Sequence, residues 1–288
     1  MIRSTLAHLH VAALSHAGMS GKNNEDRYSV ASFQLNKDES RPSIFAVIAD
    51  GIGGHRAGEV AAELAVNTIS MKVAESNARK PVKILETAIH DASQAISAHS
   101  AGKADEAGMG ATCACAWVIE NKLYTAYVGD SRIYLLRGKY IQRLTIDHTW
   151  VQEAYEKGII TLAQMHDHPN VHIIRRHLGG LKLPEVDFRL QIDSQESGEE
   201  SANNQGFHLE PGDTILLCSD GLTDLVWDDE IRRIIHSRKD LKSAAKTLVT
   251  VANQRGGYDN ITVVLMSMPR LEEAAKKKSG LLEWLLGE

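Results

Sequence analysis

Two kinds of apolar pattern share this chain. Short runs that alternate apolar with polar residues, or stay apolar throughout, predict strands: IFAVIA from Ile44, ATCACAWVIE, NKLYTAYVGD, SRIYLLRGKY, PGDTILLCSD and NITVVLMSM. Longer stretches place alanine, leucine, isoleucine and valine three and four residues apart and predict helices. These are RAGEVAAELAVNTISMKVA and PVKILETAIHDASQAISAHS, the second opening on Pro81 at a position suited to a first helical turn. VQEAYEKG, TLAQMHD, DDEIRRII and LKSAAKTLVTVANQR add further helices.

The connections sketch a topology. His10–Leu14 and RYSVASF, separated by the glycine-bearing turn SHAGMSGKNNED, read most simply as a hairpin. The three runs from ATCACAWVIE to SRIYLLRGKY, joined by tight turns, predict an antiparallel meander. VDFRLQID reads as one more strand, and SQESGEESANNQG as an exposed polar insertion at about 193–206. Strands outnumber those of a Rossmann unit and helices arrive in pairs, so the pattern predicts an α+β design of antiparallel sheets flanked by helical pairs. The expected boundaries are one domain over 1–270 and an amphipathic tail over 271–288. The tail's Leu281, Leu282, Trp284, Leu285 and Leu286 either cap the domain or mediate a contact.

Composition narrows the class. An apolar fraction of 43% and a charged fraction of 24% belong to an ordinary folded protein. The net charge of -5 gives no global pull toward nucleic acid or an acidic membrane. No run approaches the roughly 18 apolar residues of a membrane span, and the N-terminus falls short of a signal peptide, so a cytoplasmic location is expected. Cys113, Cys115 and Cys218 sit in apolar runs and read as small core residues, neither a disulfide framework nor a thiolate metal site.

The chemistry lies where apolar runs meet acids. FAVIAD, TAYVGD and ILLCSD end in Asp50, Asp130 and Asp220, while DNITVVL begins at Asp259. A single Asp before Gly is ordinarily a turn residue. Four at strand mouths are another matter: if the last strand runs antiparallel to the one ending in Asp220, all four acids share one rim. Clustered carboxylates repel and raise one another's pKa, an objection that a bound cation removes. Hard oxygen donors without adjacent Cys or a His triad favour Mg²⁺ or Mn²⁺. Asp224 adds a carboxylate one turn beyond Asp220, and Glu25 and Asp26 supply two more. Gly51, Gly53 and Gly54 let the backbone approach an ion, and GIGG is neither a P-loop nor a dinucleotide fingerprint.

The ordered series NNEDRY, DGIGGHRAGE, GMGAT, YVGDSRIY, LTIDHT, LCSDGLTD and DNITVV resembles that of the metal-dependent protein serine/threonine phosphatases of the 2C type, in particular the compact bacterial members. The likeness spans about residues 10 to 268. It implies a four-layer α/β/β/α sandwich whose end carries two Mn²⁺ or Mg²⁺ ions, and hydrolysis of phosphoserine and phosphothreonine in proteins by a hydroxide bridging them. On this pattern Asp50 resembles the bridging acid, Gly51 a backbone-carbonyl ligand, and Asp220 and Asp259 the other direct ligands. Glu25 acts through water and Asp26 stands behind it. Asp130 resembles a ligand of a third, weaker ion, to which Asp224 is a further contributor. Asn260 either orients its loop by hydrogen bonds or simply forms the turn, and residues 147–180 resemble a flap beside the metals in which His168 is structural. The implied partners are phosphoproteins, including a bacterial serine/threonine kinase and its substrates.

Two positions depart from the pattern. Many relatives carry an arginine before NED to grasp phosphate, where this chain has Gly21 beside Lys22, a charge without arginine's fork. Ile52 stands where animal relatives have a histidine, so the general acid is unassigned. Two other functions remain in view: a noncatalytic phosphoprotein-binding module, and hydrolysis of small phosphorylated metabolites or a regulator-domain phosphatase.

Overall fold

The computed structural model describes residues 1–36, 41–53, 56–165, 168–193 and 195–270. Strands β1 (Ile2–Ser4), β3 (Arg27–Gln34), β4 (Pro42–Ala49), β7 (Cys113–Ile119), β8 (Lys122–Val128) and β11 (Phe207–His208) form one antiparallel sheet, ordered β1-β3-β4-β7-β8-β11. A second antiparallel sheet, β10-β9-β12-β13-β2, joins β10 (Tyr140–Arg143), β9 (Arg132–Arg137), β12 (Thr214–Cys218), β13 (Ile261–Ser267) and β2 (His10–His16). A short ribbon pairs β5 (Gly51–Ile52) with β6 (Gly110–Ala111). Helices α1 (Arg56–Glu75) and α2 (Pro81–Ser100) cover the first sheet, and α7 (Asp228–Ser237) and α8 (Leu241–Gln254) the second. Between strands lie the shorter α3 (Trp150–Glu156), α4 (Leu162–Met165), α5 (Gly198–Asn203) and α6 (Asp220–Thr223). The layers are α/β/β/α, as the motif series implies.

The central strands read as unbroken apolar runs because both of their faces are covered. In β4, Phe45, Val47 and Ala49 point beneath α1 and α2, while Ile44, Ala46 and Ile48 fill the core between the sheets. β13 repeats the arrangement with Val264 and Met266 between the sheets and Ile261, Val263 and Leu265 beneath α7 and α8. Each fully buried side chain such as Ile69 or Leu85 contributes about 1.5–3 kcal/mol.

Three expectations about connectivity are corrected. β2 and β3 form no hairpin: β2 pairs with β13 in one sheet and β3 with β1 and β4 in the other, so the turn between them crosses the end of the sandwich. The meander holds for β7 and β8 only. Gly129, at φ 108°, turns the chain into the second sheet, where β9 pairs with β10 and β12. VDFRLQID makes a single bridge, Asp187 to Tyr127, and no strand. Its Asp187 side chain instead holds Arg189 and His148, which fixes the segment without a ladder. The polar insertion contains α5, started by a capping box in which Ser197 and Glu200 each accept the other's backbone N–H. Among the described residues, no helix is long and apolar enough to cross a membrane. Gly54 and the tail over 271–288 lie outside the described residues.

Candidate active site

Register alone brings the acids together. Arg27 faces Ala49, so Asp26 and Asp50 extend from one end of the β3–β4 pair, and Cys113 facing Val128 puts Asp130 just beyond that same end. In the second sheet Cys218 faces both Val263 and Arg132, which sets Asp220 just past β12 beside Asp259, just before β13. The rim anticipated from the strand mouths exists.

Each acid is held by its neighbours. Asp50 is clamped through its backbone: its N–H donates to Thr112 Oγ1 at 3.0 Å and its carbonyl accepts from Thr112 N at 2.8 Å. Gly51 lies back to back with Gly58 of α1, where a Cβ on Gly51 would collide with the Gly58 carbonyl and one on Gly58 with the Glu25 carboxylate. The glycines after Asp50 therefore serve close backbone approach as well as access. Asp26, 2% exposed, accepts from Ser219 Oγ at 2.7 Å. Asn260 ties the loop ahead of it, with Oδ1 accepting from Glu25 N at 2.6 Å and Nδ2 donating to the Ala17 and Asn23 carbonyls at 3.1 Å. Of the two roles weighed for Asn260, the structure shows the orienting one. Lys22 stands exposed at the start of that loop, beside Gly21 at φ 76°, and pairs with no described acid.

Electrostatics single out this rim. Burial first, then the charges of Asp26, Asp220, Asp130 and Asp259, pushes the Asp50 carboxyl well above the usual range. Asp220 is raised in the same way, by burial and then by Asp130, Asp224, Asp259 and Asp26. Burial lifts Asp26 to about 6 against the Ser219 hydrogen bond, and burial with the Asp147 charge lifts Asp130 to about 7. Asp26 Oδ1 and Asp220 Oδ1 are buried and have no hydrogen-bond partner. Buried carboxylate oxygens without a hydrogen-bond partner, beside other carboxylates, fit hard divalent cations, the ions that oxygen donor sets hold best.

Among the described residues, one set of three donors lies mutually within 4.8 Å: His172, Asp220 and Asp224. Asp50, Asp130 and Asp259 stand outside it. His172 had no signal in the sequence, since it comes from a loop far from both acids. Two supporting pairs were also missed. Arg132 grips Asp147 with two nitrogens, and His148 accepts from Gly129 N at Nδ1 and meets Asp187 at 3.1 Å through Nε2. The first bond leaves Nε2 as the donor, which fixes the neutral tautomer. The LTIDHT motif thus braces the GDSR turn that carries Asp130. His168 stacks on Trp150 at 4.7 Å, which rests its loop on the start of α3. A cleft of about 1340 Å³ opens from Asp130, Asp220, Asp224 and Asp259 under α3 and α4, with Trp227 and Tyr258 on its wall.

A sandwich end lined by buried, mutually repelling acids has the donor chemistry of a site for hard divalent cations. The protein phosphatase 2C family profile matches residues 15–266, and the chain belongs to that family of protein phosphatases. It is 35% identical over 262 residues to the serine/threonine phosphatase stp of Listeria monocytogenes, covering 90% of this chain and 95% of the relative. The Streptococcus agalactiae serine/threonine phosphatase superposes with a TM-score of 0.78 at 29% identity, covering 90% of this chain and 99% of that one. The catalytic domain of the serine/threonine protein phosphatase PstP, in complex with 2 manganese ions, superposes with a TM-score of 0.73 at 30% identity over 91% of this chain and 98% of that one.

Proposed function

We propose that this enzyme removes phosphate from phosphoserine and phosphothreonine in proteins, using two divalent cations, Mn²⁺ or Mg²⁺, held by Asp50, the Gly51 carbonyl, Asp220 and Asp259. The observation that carries the reading is the convergence of strand-end acids whose buried oxygens, Asp26 Oδ1 and Asp220 Oδ1, lack any proton donor. The manganese bound by PstP supports the choice of ion. A pair of ions about 3.5–4 Å apart needs donors spread more widely than a single trio, which suits Asp50 and Asp259 standing further round the rim. When bound, the cations supply Lewis acidity toward the phosphoryl oxygens and lower the pKa of the attacking water.

The chain's own residues do the rest. Thr112 fixes the Asp50 backbone, Ser219 fixes Asp26, and Asn260 holds the loop bearing Glu25, which acts through water. Asp130 and Asp224 serve a third, weaker ion, and Lys22 offers a positive charge to the phosphate. The segment 147–180 acts as a flap over the cleft that receives the phosphoprotein. The enzyme works in the cytoplasm of a bacterium, in signal transduction, against a serine/threonine kinase, and the tail over 271–288 serves contacts.

Incubating the purified chain with a phosphothreonine peptide tests this. Phosphate release should require Mn²⁺ or Mg²⁺ and collapse in Asp50→Asn. A folded protein that binds phosphopeptide but releases nothing with either ion would favour the noncatalytic module instead. Faster turnover of small phosphate esters than of peptides would move the assignment to metabolites.

A further inference from the structure

We propose that His148 and Asp187 are positioning residues for the metal-binding rim, setting Asp130 directly and Asp50 by way of Thr112; this rests on the metal-dependent reading above. The link is the turn over 129–131. His148 holds it at two points, its Nδ1 accepting from Gly129 N at 3.0 Å and its own N–H donating to the Gly129 carbonyl at 3.0 Å. Gly129 packs so closely on Thr112 that a Cβ there would strike the Thr112 side chain, and Ser131 Oγ lies 2.8 Å from Thr112 Oγ1. The same Thr112 Oγ1 accepts from Asp50 N. A shift of the turn therefore carries Asp130 with it and loosens the clamp on Asp50.

Asp187 decides which imidazole nitrogen faces the turn. Its Oδ2 meets His148 Nε2 at 3.1 Å, and both residues are buried. Against its burial, hydrogen bonds from His148 and Arg189 hold the Asp187 carboxyl well below the usual range, so it is a constant acceptor. An ionised carboxylate takes only donors; Nε2 therefore carries the proton, and Nδ1 keeps its lone pair for Gly129 N. With the proton on Nδ1, two buried donors would oppose each other and the turn would give way. Asp187 is anchored in turn, since its backbone N–H and carbonyl both pair with Tyr127 at 3.0 Å, and the Tyr127 ring stacks on the imidazole at 5.3 Å. Arg175 N donates to the His148 carbonyl at 2.7 Å, which ties the later part of the 147–180 segment to the same joint.

Two substitutions separate the ring's two contacts. His148→Asn puts an amide oxygen close to where Nδ1 stands and keeps an acceptor for Gly129 N, whereas His148→Gln puts an amide nitrogen close to where Nε2 stands and keeps a donor for Asp187. Calorimetric titration of each metal-free full chain with Mn²⁺, together with urea unfolding in EDTA, tests the assignment. His148→Gln should bind Mn²⁺ about ten- to a hundredfold more weakly, the usual effect of losing an outer support, and its kcat on a phosphothreonine peptide should fall with it. His148→Asn should bind Mn²⁺ nearly as the wild type does. Both should lose similar stability in EDTA, because each gives up one of two buried hydrogen bonds, so a merely structural role would not split their metal binding. Asp187→Ala, which leaves His148 in place, should weaken Mn²⁺ binding about tenfold. Nitrogen NMR of the imidazole should find only the Nε2–H tautomer in the wild type and an added Nδ1–H form in Asp187→Ala. Wild-type Mn²⁺ affinity in a folded His148→Gln or Asp187→Ala, equal losses in His148→Asn and His148→Gln, or an Nδ1–H imidazole in the wild type overturns the role. A wild type that binds no Mn²⁺ overturns the centre as well, an outcome distinct from a filled rim indifferent to His148→Gln.

Discussion

Replacing Asn260 by alanine measures how far the rim depends on a residue that need not touch an ion. Asn260 is 4% exposed, and its side chain accepts one backbone hydrogen bond from Glu25 and donates two to Ala17 and Asn23. Each bond contributes about 0.5–1.5 kcal/mol, and an abandoned buried polar group costs about 1–3 kcal/mol, so Asn260→Ala should lose roughly 2–4 kcal/mol. Water entering the vacated space would hold the loss to the lower end. Because these bonds secure the loop carrying Glu25, the variant should also need about tenfold more Mn²⁺ for half-maximal phosphatase activity. Urea unfolding in saturating Mn²⁺ and a metal titration of activity provide both numbers. A stability within 0.5 kcal/mol of wild type, with an unchanged metal requirement, would show that Asn260 merely forms a turn.

Further outcomes follow from the same geometry. In EDTA, Asp26→Asn should gain on wild type as pH rises. A carboxyl raised from 3.8 to about 6 in the folded state stabilises it fully below pH 4 and loses that contribution as pH climbs through 6, so the difference should grow by up to about 3 kcal/mol between pH 4 and 7. A flat difference across that range, by urea unfolding, would contradict the raised value. Gly51→Ala should cost at least about 3 kcal/mol and most of the activity, because its Cβ would meet the Gly58 backbone, which cannot swing aside. Wild-type melting and turnover of that variant would show the approach to be unnecessary. Trp227→Ala, on the cleft wall at 60% exposure, should raise KM for phosphopeptides severalfold while sparing a small phosphate ester, and an equal effect on both substrates would remove it from peptide contact.

Much of this was legible in the residues. Apolar runs closing on Asp50, Asp130 and Asp220 identified strands covered on both faces, and antiparallel pairing of β12 with β13 was enough to bring Asp220 beside Asp259. Alternation reports which face a residue takes, not which strand it joins. That is why β2 and β9 were assigned to the wrong neighbours, while the pairing of β7 with β8 was read correctly. The S-x-x-E signal at Ser197 and Glu200 was present for α5 and was outweighed by the polar composition around it. VDFRLQID had strand alternation, but Asp187 binds side chains rather than sustaining a ladder. His172 was invisible because only the fold of a loop brings it to Asp224, and thirteen histidines offered no reason to choose it.

Crystals of the full chain soaked in Mn²⁺ and measured at the manganese absorption edge test the central claim most directly. Two anomalous peaks about 3.5–4 Å apart, lying among the carboxylates of Asp50, Asp220 and Asp259, are the predicted result. A folded molecule showing no manganese within about 2.0–2.2 Å of those oxygens at saturating ion would contradict it.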